Sequence, residues 1–308
     1  MTMQIITDIS KYNKVPCAAT IGSFDGVHRG HLAMLGELRC AAVAKKLPLM
    51  VVTFATHPRR LFDKECEPFL LTPLNEKVKL LESAGVDICV LLDFDHAMAA
   101  MSAVRFMNEI LVECLGVQLL AVGYDHHFGK PAQSEGLEQY ISYGKELGID
   151  VFGTQPFIVD GVAVSSSAVR RALSCGDVEL AERLLGRCYT LQGAVVHGAG
   201  IGRLLGFPTA NIAPTCDEQM LPLDGVYETD VTVDGEIFKG VMNIGVKPTV
   251  SGKERTLEVH IIGFEGNLYD KDIAVQFVRR LRGEQSFENV NALRFQIEVD
   301  VARVKRGI

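Results

Sequence analysis

A buried strand, a glycine loop and a helix follow one another directly near the start of this chain. The apolar run Cys17–Ile21 predicts the strand, and the ten residues from Gly22 to His31, GSFDGVHRGH, lead into a helical pattern. Gly22 and Gly26 allow the backbone to approach a ligand closely, and the free amide groups at a helix N-terminus attract anions. This order of elements therefore predicts a phosphate site, and with it an enzyme that acts on a nucleotide phosphate.

Apolar runs and helical patterns alternate through the first half of the chain. Strands are predicted at 17–22, 49–54, 88–92, 119–123 and 151–154. Helices are predicted at 31–45, 73–84, 103–115, 135–147 and 166–174. This alternation indicates an α/β domain with a parallel sheet, in which ligands bind beyond the carboxyl ends of the strands. We therefore expect the loops that begin at Gly22 and Gly123 to face one crevice.

The pattern changes after Gly186, where short alternating strands replace the longer units. Strands are predicted at 189–196, 225–233, 237–242, 256–262 and 273–277, and one helix is predicted near 289–303. Turns such as Asp234-Gly235 separate the strands, which is typical of a small antiparallel β-barrel. We expect this barrel to have Greek-key connections and a terminal helix. The sequence thus predicts two domains, 1–185 and 186–308.

Composition narrows the range of partners and compartments. The chain of 308 residues has a net charge of −7 and no basic block, which argues against broad nucleic-acid binding. No apolar run approaches the roughly 18 residues of a membrane helix, and we expect no signal peptide. The eight cysteines include no CxxC pair, so we expect reduced thiols in a cytoplasmic protein without nucleic-acid or membrane partners. The oligomeric state is left open.

His28 and His31 lie three residues apart, a spacing that places both side chains on one face of a helix. Imidazole groups that donate hydrogen bonds or carry charge are suited to stabilising the charge that grows on an attacked α-phosphate. The pair could instead ligate a metal ion, although no third ligand lies nearby in the sequence.

A serine segment near residue 165 carries a second set of candidate groups. Ser166 and Ser167 precede an amphipathic stretch, and Arg170 follows about one turn later. Hydroxyl groups, free amides and an arginine in this order suit a triphosphate clamp. The alternative is an ordinary N-cap beside a solvated arginine.

The loop from Gly123 to Gly129 follows a predicted strand and contains two adjacent histidines. Asp125 is a candidate for orienting a substrate, and Phe128 is a candidate for flanking its ring. The alternative is a loop that is simply exposed to solvent.

A glycine-rich stretch of the second domain leads into Gly206-Phe-Pro-Thr-Ala-Asn211. Pro208 fixes the backbone just before Thr209, and the period-two spacing of Thr209 and Asn211 places their oxygen atoms on one side of a strand. Neutral oxygen ligands beside a nucleotide suit Mg²⁺ bound to ATP, whereas the alternative is a turn followed by an ordinary strand. Glu258 lies in an alternating strand, where it either faces solvent or acts as a general base toward a primary hydroxyl.

The motifs of the first domain resemble those of the HxGH nucleotidylyltransferases, in particular the adenylyltransferase domain of bifunctional riboflavin kinase/FMN adenylyltransferases, also called FAD synthetases. Thr53-Phe54 to Pro58 and Leu71-Thr72-Pro73 also match that family. The resemblance implies a Rossmann-like domain in which His28 and His31 stabilise the α-phosphate during adenylyl transfer, and in which Asp125 and Phe128 contact FMN. It further implies nucleotide and phosphate contacts by seven residues: Gly22, Phe24, Asp25, Gly26, Ser166, Ser167 and Arg170.

The second domain resembles riboflavin kinases over nearly all of 186–303. After the Gly206–Asn211 motif it carries further family motifs in order: Gly225-Val-Tyr, Asn243-Ile-Gly-Val-Lys-Pro-Thr, Glu258 and Leu268-Tyr. The resemblance implies that Gly206 and Pro208 contact the nucleotide and that Thr209 and Asn211 bind Mg²⁺–ATP. It also implies that Glu258 activates the 5′-hydroxyl of riboflavin.

The leading hypothesis is an enzyme that phosphorylates riboflavin with ATP and then transfers AMP from ATP to FMN, giving FAD and pyrophosphate. We expect it to need Mg²⁺ with ATP but no permanently bound cofactor. His126 and Ala163, where the family has Phe and Arg, motivate an alternative in which the first domain adenylylates another substrate. A flavin-binding module without turnover is a third hypothesis, against which His31 and Glu258 argue. Other departures are Ser23 for Asn, Ser167 for Thr, Lys247 for Arg and Ser286 for Lys.

Overall fold

The structure is a computed structural model that describes residues 2–63, 68–124, 136–198, 200–249 and 252–307. The chain divides into two compact units, Met1–Ser166 and Ser167–Ile308. The second unit therefore includes most of the stretch 166–185 that precedes the predicted domain boundary.

The first unit is built on a six-stranded sheet whose neighbouring strands are all parallel. Its strands are β1 (Gln4–Ile6), β2 (Cys17–Ile21), β3 (Leu49–Phe54), β4 (Ile88–Leu92), β5 (Val117–Val122) and β6 (Asp150–Gly153). The order across the sheet is β1-β4-β3-β2-β5-β6, so the chain runs to one side of β2 and then returns to the other. The switch point at which ligands bind in such sheets thus lies between the carboxyl ends of β2 and β5. The predicted parallel α/β architecture is confirmed.

Alternate residues of the central strands face two separate hydrophobic cores. Met50 and Val52 of β3 pack into one core, whereas Val51 packs into the other together with Leu35. β2, β3 and β4 are buried along their full lengths, as expected for a parallel sheet that is covered on both faces.

The helices of the first unit are α1 (Arg29–Lys45), α2 (Arg59–Phe62), α3 (Leu74–Ser83), α4 (His96–Ala99), α5 (Ala103–Phe106) and α6 (Leu137–Leu147). The helix predicted over 103–115 is α-helical only to Phe106 and has π-helical hydrogen bonding over Met107–Cys114. A short 3₁₀ turn, Ile9–Lys11, follows β1. A two-stranded hairpin, β7 (Ile158–Val159) and β8 (Val162–Ala163), precedes the serine segment.

The second unit contains a closed antiparallel barrel with the strand order β10-β13-β12-β11-β14-β9. Because β14 returns to pair beside β11 after the β11-β12-β13 meander, these four strands form the predicted Greek key. The strands are β9 (Tyr189–Val196), β10 (Ala210–Pro214), β11 (Gly225–Val233), β12 (Glu236–Thr249), β13 (Gly252–Ile261) and β14 (Asp272–Arg282). The helices are α7 (Ser166–Ser174), α8 (Val178–Leu185), α9 (Ile201–Leu204) and the terminal α10 (Val290–Arg306).

Candidate active sites

The loop between β2 and α1 is tightly wound and left-handed at three positions. Phe24, Gly26 and Val27 have φ angles of 49°, 88° and 38°. Left-handed backbone is unfavourable for residues with a Cβ, above all for a β-branched one, and it persists only where the surroundings enforce it. Phe24 and Val27 are both 1% exposed, so burial of their side chains holds the loop in this form. A loop of fixed shape therefore lies at the switch point of the sheet.

Asp25 anchors this loop to the segment that leads into α3. Its carboxylate is buried and accepts hydrogen bonds from the backbone N–H groups of Leu71, at 2.9 Å, and Thr72, at 3.1 Å. Hydrogen bonds to a charged acceptor in a buried setting are among the stronger ones in proteins. Asp25 was predicted to contact the nucleotide, whereas in the structure its carboxylate is hydrogen-bonded to the backbone of Leu71 and Thr72.

His28 and His31 cap the start of α1 reciprocally. His28 is the N-cap, its Nδ1 accepts from the backbone N–H of His31 at 3.3 Å, and His31 Nδ1 accepts from the N–H of His28 at 3.3 Å. The two rings stack with centroids 3.6 Å apart and an interplanar angle of 13°. Because each Nδ1 accepts a hydrogen bond, the neutral form of each ring carries its own proton on Nε2, where it is a potential donor. Two such donors side by side suit the oxygen atoms of a phosphate.

Gly30, between the two histidines, lies where a side chain would make unusually tight contacts. A Cβ at this position would lie 3.1 Å from His28 Nδ1 and 3.1 Å from the carbonyl oxygen of Val164. The HxGH spacing therefore has a packing reason at its glycine. At Gly22, by contrast, a Cβ would come no closer than 3.4 Å to a neighbouring atom, which is ordinary contact.

The serine segment meets the loop through Ser166. Its hydroxyl group, at the first residue of α7, donates to the carbonyl oxygen of Asp25 at 2.8 Å. Ser167 is exposed in the first turn of α7, and Arg170 lies half-buried further along the helix. Ala163 is exposed in β8. Asp125, His126 and Phe128 lie outside the described residues.

The second site is built from a row of polar residues across three barrel strands. Glu258 of β13 lies opposite Asn211 of β10 on one side and opposite Asn243 of β12 on the other. Residues directly opposite one another in antiparallel strands project to the same face of the sheet. Thr209, just before β10, reaches the same row, and its Oγ1 lies 3.5 Å from Glu258 Oε2. The structure thus brings together Thr209, Asn211 and Glu258, which the sequence predicts as metal ligands and general base.

The glycines upstream leave room for these side chains. A Cβ at Gly198 would lie 2.1–2.6 Å from the side-chain atoms of Asn211, and one at Gly202 would lie 3.0 Å from Thr209 Oγ1. The oxygen atoms of Thr209, Asn211 and Glu258 are the hard donors that Mg²⁺ prefers, and they are held in a space that a side chain at 198 would fill. The residues present therefore fit a magnesium ion.

Two cavities open beside this row, and Thr209 lines both. The larger, of about 350 Å³, combines an apolar wall with Asn243, Glu258 and the buried ion pair of Arg282 and Asp300, whose atoms Nε and Oδ2 are 2.9 Å apart. The apolar wall includes Leu205, Phe207, Val226, Val241, Phe287 and Ile297. A cavity of this size with a few polar groups is typical of a small-molecule site.

The smaller cavity, of about 110 Å³, is lined by Thr209 together with Pro208, Arg203, Asn267 and Tyr269, among others. His260 holds the adjoining turn, because its Nδ1 lies 2.8 Å from the Pro208 carbonyl oxygen. Gly206 has a φ angle of 86°, a conformation that favours glycine. The arrangement suits the transfer of a group between ligands held in adjacent cavities.

Several residues of the two sites were not predicted from the sequence. Lys77 of α3 is buried against the glycine loop, although lysine in a helix is normally solvated. The one indication in the sequence is that the apolar residue Leu81 lies one helical turn later on the same face; the structure shows that both residues are buried. Arg282 and Asp300 come from β14 and α10, and their contact depends on how the barrel closes.

Two family models match the chain. A model for FAD synthetase matches residues 10–168, and a model for riboflavin kinase matches residues 185–308. Bifunctional riboflavin kinase/FMN adenylyltransferases of Pseudomonas fluorescens and Escherichia coli (strain K12) are 43% and 41% identical to it. The first match covers 94% of this chain and 92% of the relative, and the second covers 97% and 96%. The chain therefore belongs to the family of bifunctional riboflavin kinase/FMN adenylyltransferases.

A solved structure has a similar fold over nearly the whole length. It is described as a macrolide-efflux protein from Streptococcus pneumoniae, and it matches with a TM-score of 0.89 and 27% sequence identity over 99% of each chain. Within the described ranges, no helix has both the length and the apolar character needed to cross a membrane.

Proposed function

We propose that the barrel unit phosphorylates riboflavin at its 5′-hydroxyl, with the flavin in the larger cavity and the terminal phosphate of ATP at the smaller one. The position of Thr209 carries this proposal, because a residue that lines both cavities lies where the two substrates would meet. Glu258 lines the larger cavity and takes the proton of the hydroxyl group as its oxygen attacks the γ-phosphorus. ADP is the leaving group.

Thr209 and Asn211 would hold Mg²⁺ with the ATP phosphates, beside Glu258. When bound, the ion neutralises charge on the phosphate oxygens and helps to orient them. The contribution of this chain is to keep the oxygen atoms of the two side chains together, with Gly198 and Gly202 leaving the space they need.

In the first unit we propose adenylyl transfer from ATP to FMN. A phosphate oxygen of FMN attacks the α-phosphorus of ATP, and pyrophosphate leaves. The Nε2–H groups of His28 and His31 donate to the α-phosphate oxygens as negative charge grows there, and the N-terminus of α1 attracts the same charge. No covalent bond to the protein forms, so rate comes from position and charge stabilisation. Contacts by Ser167, Arg170, Asp125 and Phe128 stay predictions.

The test is to incubate the full chain with riboflavin, ATP and Mg²⁺ and to resolve the flavins by chromatography. FMN should appear first and FAD should follow, and chelation of Mg²⁺ should stop FMN formation. Accumulation of FMN without FAD would contradict the assignment of the first unit. Failure to form FMN, with FAD still made from added FMN, would contradict the assignment of the barrel.

We also propose a reducing, cytoplasmic location. All cysteines in the described part of the chain are free thiols, and Cys17 and Cys89 are fully buried. The division of the two activities at residues 185 and 186 also stays a proposal. It is supported by the riboflavin kinase model, which begins at residue 185.

A further inference from the structure

Lys77 is a buried lysine whose three hydrogen bonds converge on the glycine loop and the strand beside it. Its side chain enters from α3, and the residue is 8% exposed. The Nζ atom donates to the carbonyl oxygens of Phe54 at 3.0 Å and Ser23 at 3.2 Å, and to Thr53 Oγ1 at 3.3 Å. An ammonium group has three N–H donors, so its donor capacity matches these three acceptors.

The acceptors lie at the carboxyl ends of β2 and β3, beside the switch point. Thr53 and Phe54 are the last two residues of β3, and Ser23 is the second residue of the glycine loop. Thr53 Oγ1 also donates to the Ser23 carbonyl oxygen, at 3.1 Å. Lys77 therefore joins two neighbouring strand ends at the place where the loop leaves the sheet.

A second contact joins the same two segments, this time from a side chain of the loop to the backbone that precedes α3. The carboxylate of Asp25 in the loop accepts from the backbone of Leu71 and Thr72, just before α3 begins. The loop and α3 are thus joined at Ser23 and at Asp25, on either side of Phe24. Phe24 is left-handed, and its ring centroid lies 4.7 Å from that of His31. Fixing both neighbours of Phe24 fixes the surface on which the His31 ring rests.

The charge of Lys77 is costly for the fold. The three acceptors are uncharged oxygens, and burial lowers the pKa of the Lys77 ammonium, although the nearby Asp25 carboxylate opposes that effect. An apolar side chain of the same length would avoid this desolvation penalty but would take the donor away from all three oxygen atoms, so the lysine ties the loop to the strand end at a cost in desolvation.

We propose that Lys77 is a positioning residue for adenylyl transfer, which holds the glycine loop so that His31 meets the α-phosphate. This inference rests on the proposed assignment of adenylyl transfer to the first unit. The ammonium acts through the Ser23 carbonyl and Phe24, and it does not itself contact the reacting atoms.

The test compares K77M with K79M in the full chain. Lys79 lies on the same helix, but its side chain is 67% exposed and pairs with Glu76. K77M should lower kcat for FAD formation from added FMN by about 10- to 100-fold, as misplacement of a reacting group does, with little change in KM for ATP. The kinase rate of the same sample should be unchanged, and K79M should match the wild type in both reactions.

The imidazole NMR signals of His28 and His31 provide a second readout. They should shift in K77M and not in K79M, at a temperature where both variants are folded. Should K77M fail to fold, K77Q, which keeps an amide donor, takes its place in the same assays. Wild-type kcat and unshifted imidazole signals in the folded variant would overturn the inference, as would loss of folding in both variants. If the wild type itself made no FAD from FMN, the proposed function would be the part that failed.

Discussion

The rings of His28 and His31 lie parallel with centroids 3.6 Å apart, and each ring accepts the backbone N–H of the other residue. Each histidine therefore has two tasks in adenylyl transfer as proposed, since Nδ1 caps α1 and this cap selects the neutral tautomer that carries its proton on Nε2. The caps fix the rotation of both rings before any ligand arrives. This preorganisation is what makes a hydrogen-bond donor effective toward charge that develops in a transition state.

The two tasks of His31 can be separated by substitution. Glutamine is a favoured residue at this position of a capping box, so H31Q should keep the start of α1 intact. It should nevertheless lower kcat for FAD formation by about 10²- to 10³-fold, as removal of one transition-state donor does. Steady-state rates with FMN and ATP, together with the melting temperature, measure both effects. Near-normal FAD formation by H31Q would show that the ring itself is not needed.

Replacement of a glycine of α1 by alanine should lower FAD formation at Gly30 but raise the stability of the protein at Gly36. In G30A the new Cβ meets the His28 ring and the Val164 carbonyl oxygen at 3.1 Å, so FAD formation should fall. In G36A the Cβ meets nothing within 4 Å, and an exposed helical position should gain about 0.5–1 kcal/mol of stability. Denaturant unfolding and FAD assays on both variants test this contrast. Equal activity of the two variants would contradict the packing role of Gly30.

Gly198 should matter for the kinase reaction alone. An alanine there would place its Cβ 2.1–2.6 Å from the side chain of Asn211, which must then leave its present position opposite Glu258. G198A should therefore lower FMN formation by at least about 10-fold, while added FMN is still converted to FAD. Separate assays with riboflavin and with FMN distinguish the two reactions. A G198A variant with a normal kinase rate would remove Asn211 from the proposed magnesium site.

The buried thiol of Cys17 should make the first unit less stable at alkaline pH. Burial raises the pKa of this thiol from 9.0 to about 12. Between these values the unfolded chain releases the proton while the folded chain keeps it, so stability present below pH 9 is lost as the pH rises. The urea midpoint should thus fall more steeply from pH 8.5 to 10.5 in the wild type than in C17A. Identical slopes would contradict the prediction.

The sequence predicts those features that depend on local period and on turn residues. The strands at 49–54, 88–92, 189–196 and 225–233 have the predicted bounds because uniform burial or strict alternation marks them. The spacing of Thr209 and Asn211 likewise predicts that both face one side, and the structure brings both to Glu258.

Contacts between residues that are far apart in the chain were not predicted from the sequence. The carboxylate of Asp25 binds backbone 46 residues away, a contact that exists only because the chain passes α3 beside the loop after β3. The burial of Lys77 was not predicted either, because it depends on the same packing of α3 beside the loop. β1 was not predicted because three residues are too few to show a period, and its place at the sheet edge comes from pairing with β4.

We expect one chain to carry two independent active sites, and an experiment that mixes two variants tests this independence. E258Q should make no FMN from riboflavin but should convert added FMN to FAD, whereas H31Q should make FMN and little FAD. When both variants are mixed with riboflavin, ATP and Mg²⁺, FAD should form again, because FMN released by one protein is substrate for the other. Loss of both reactions in either folded variant, or a mixture that yields no FAD, would contradict the account.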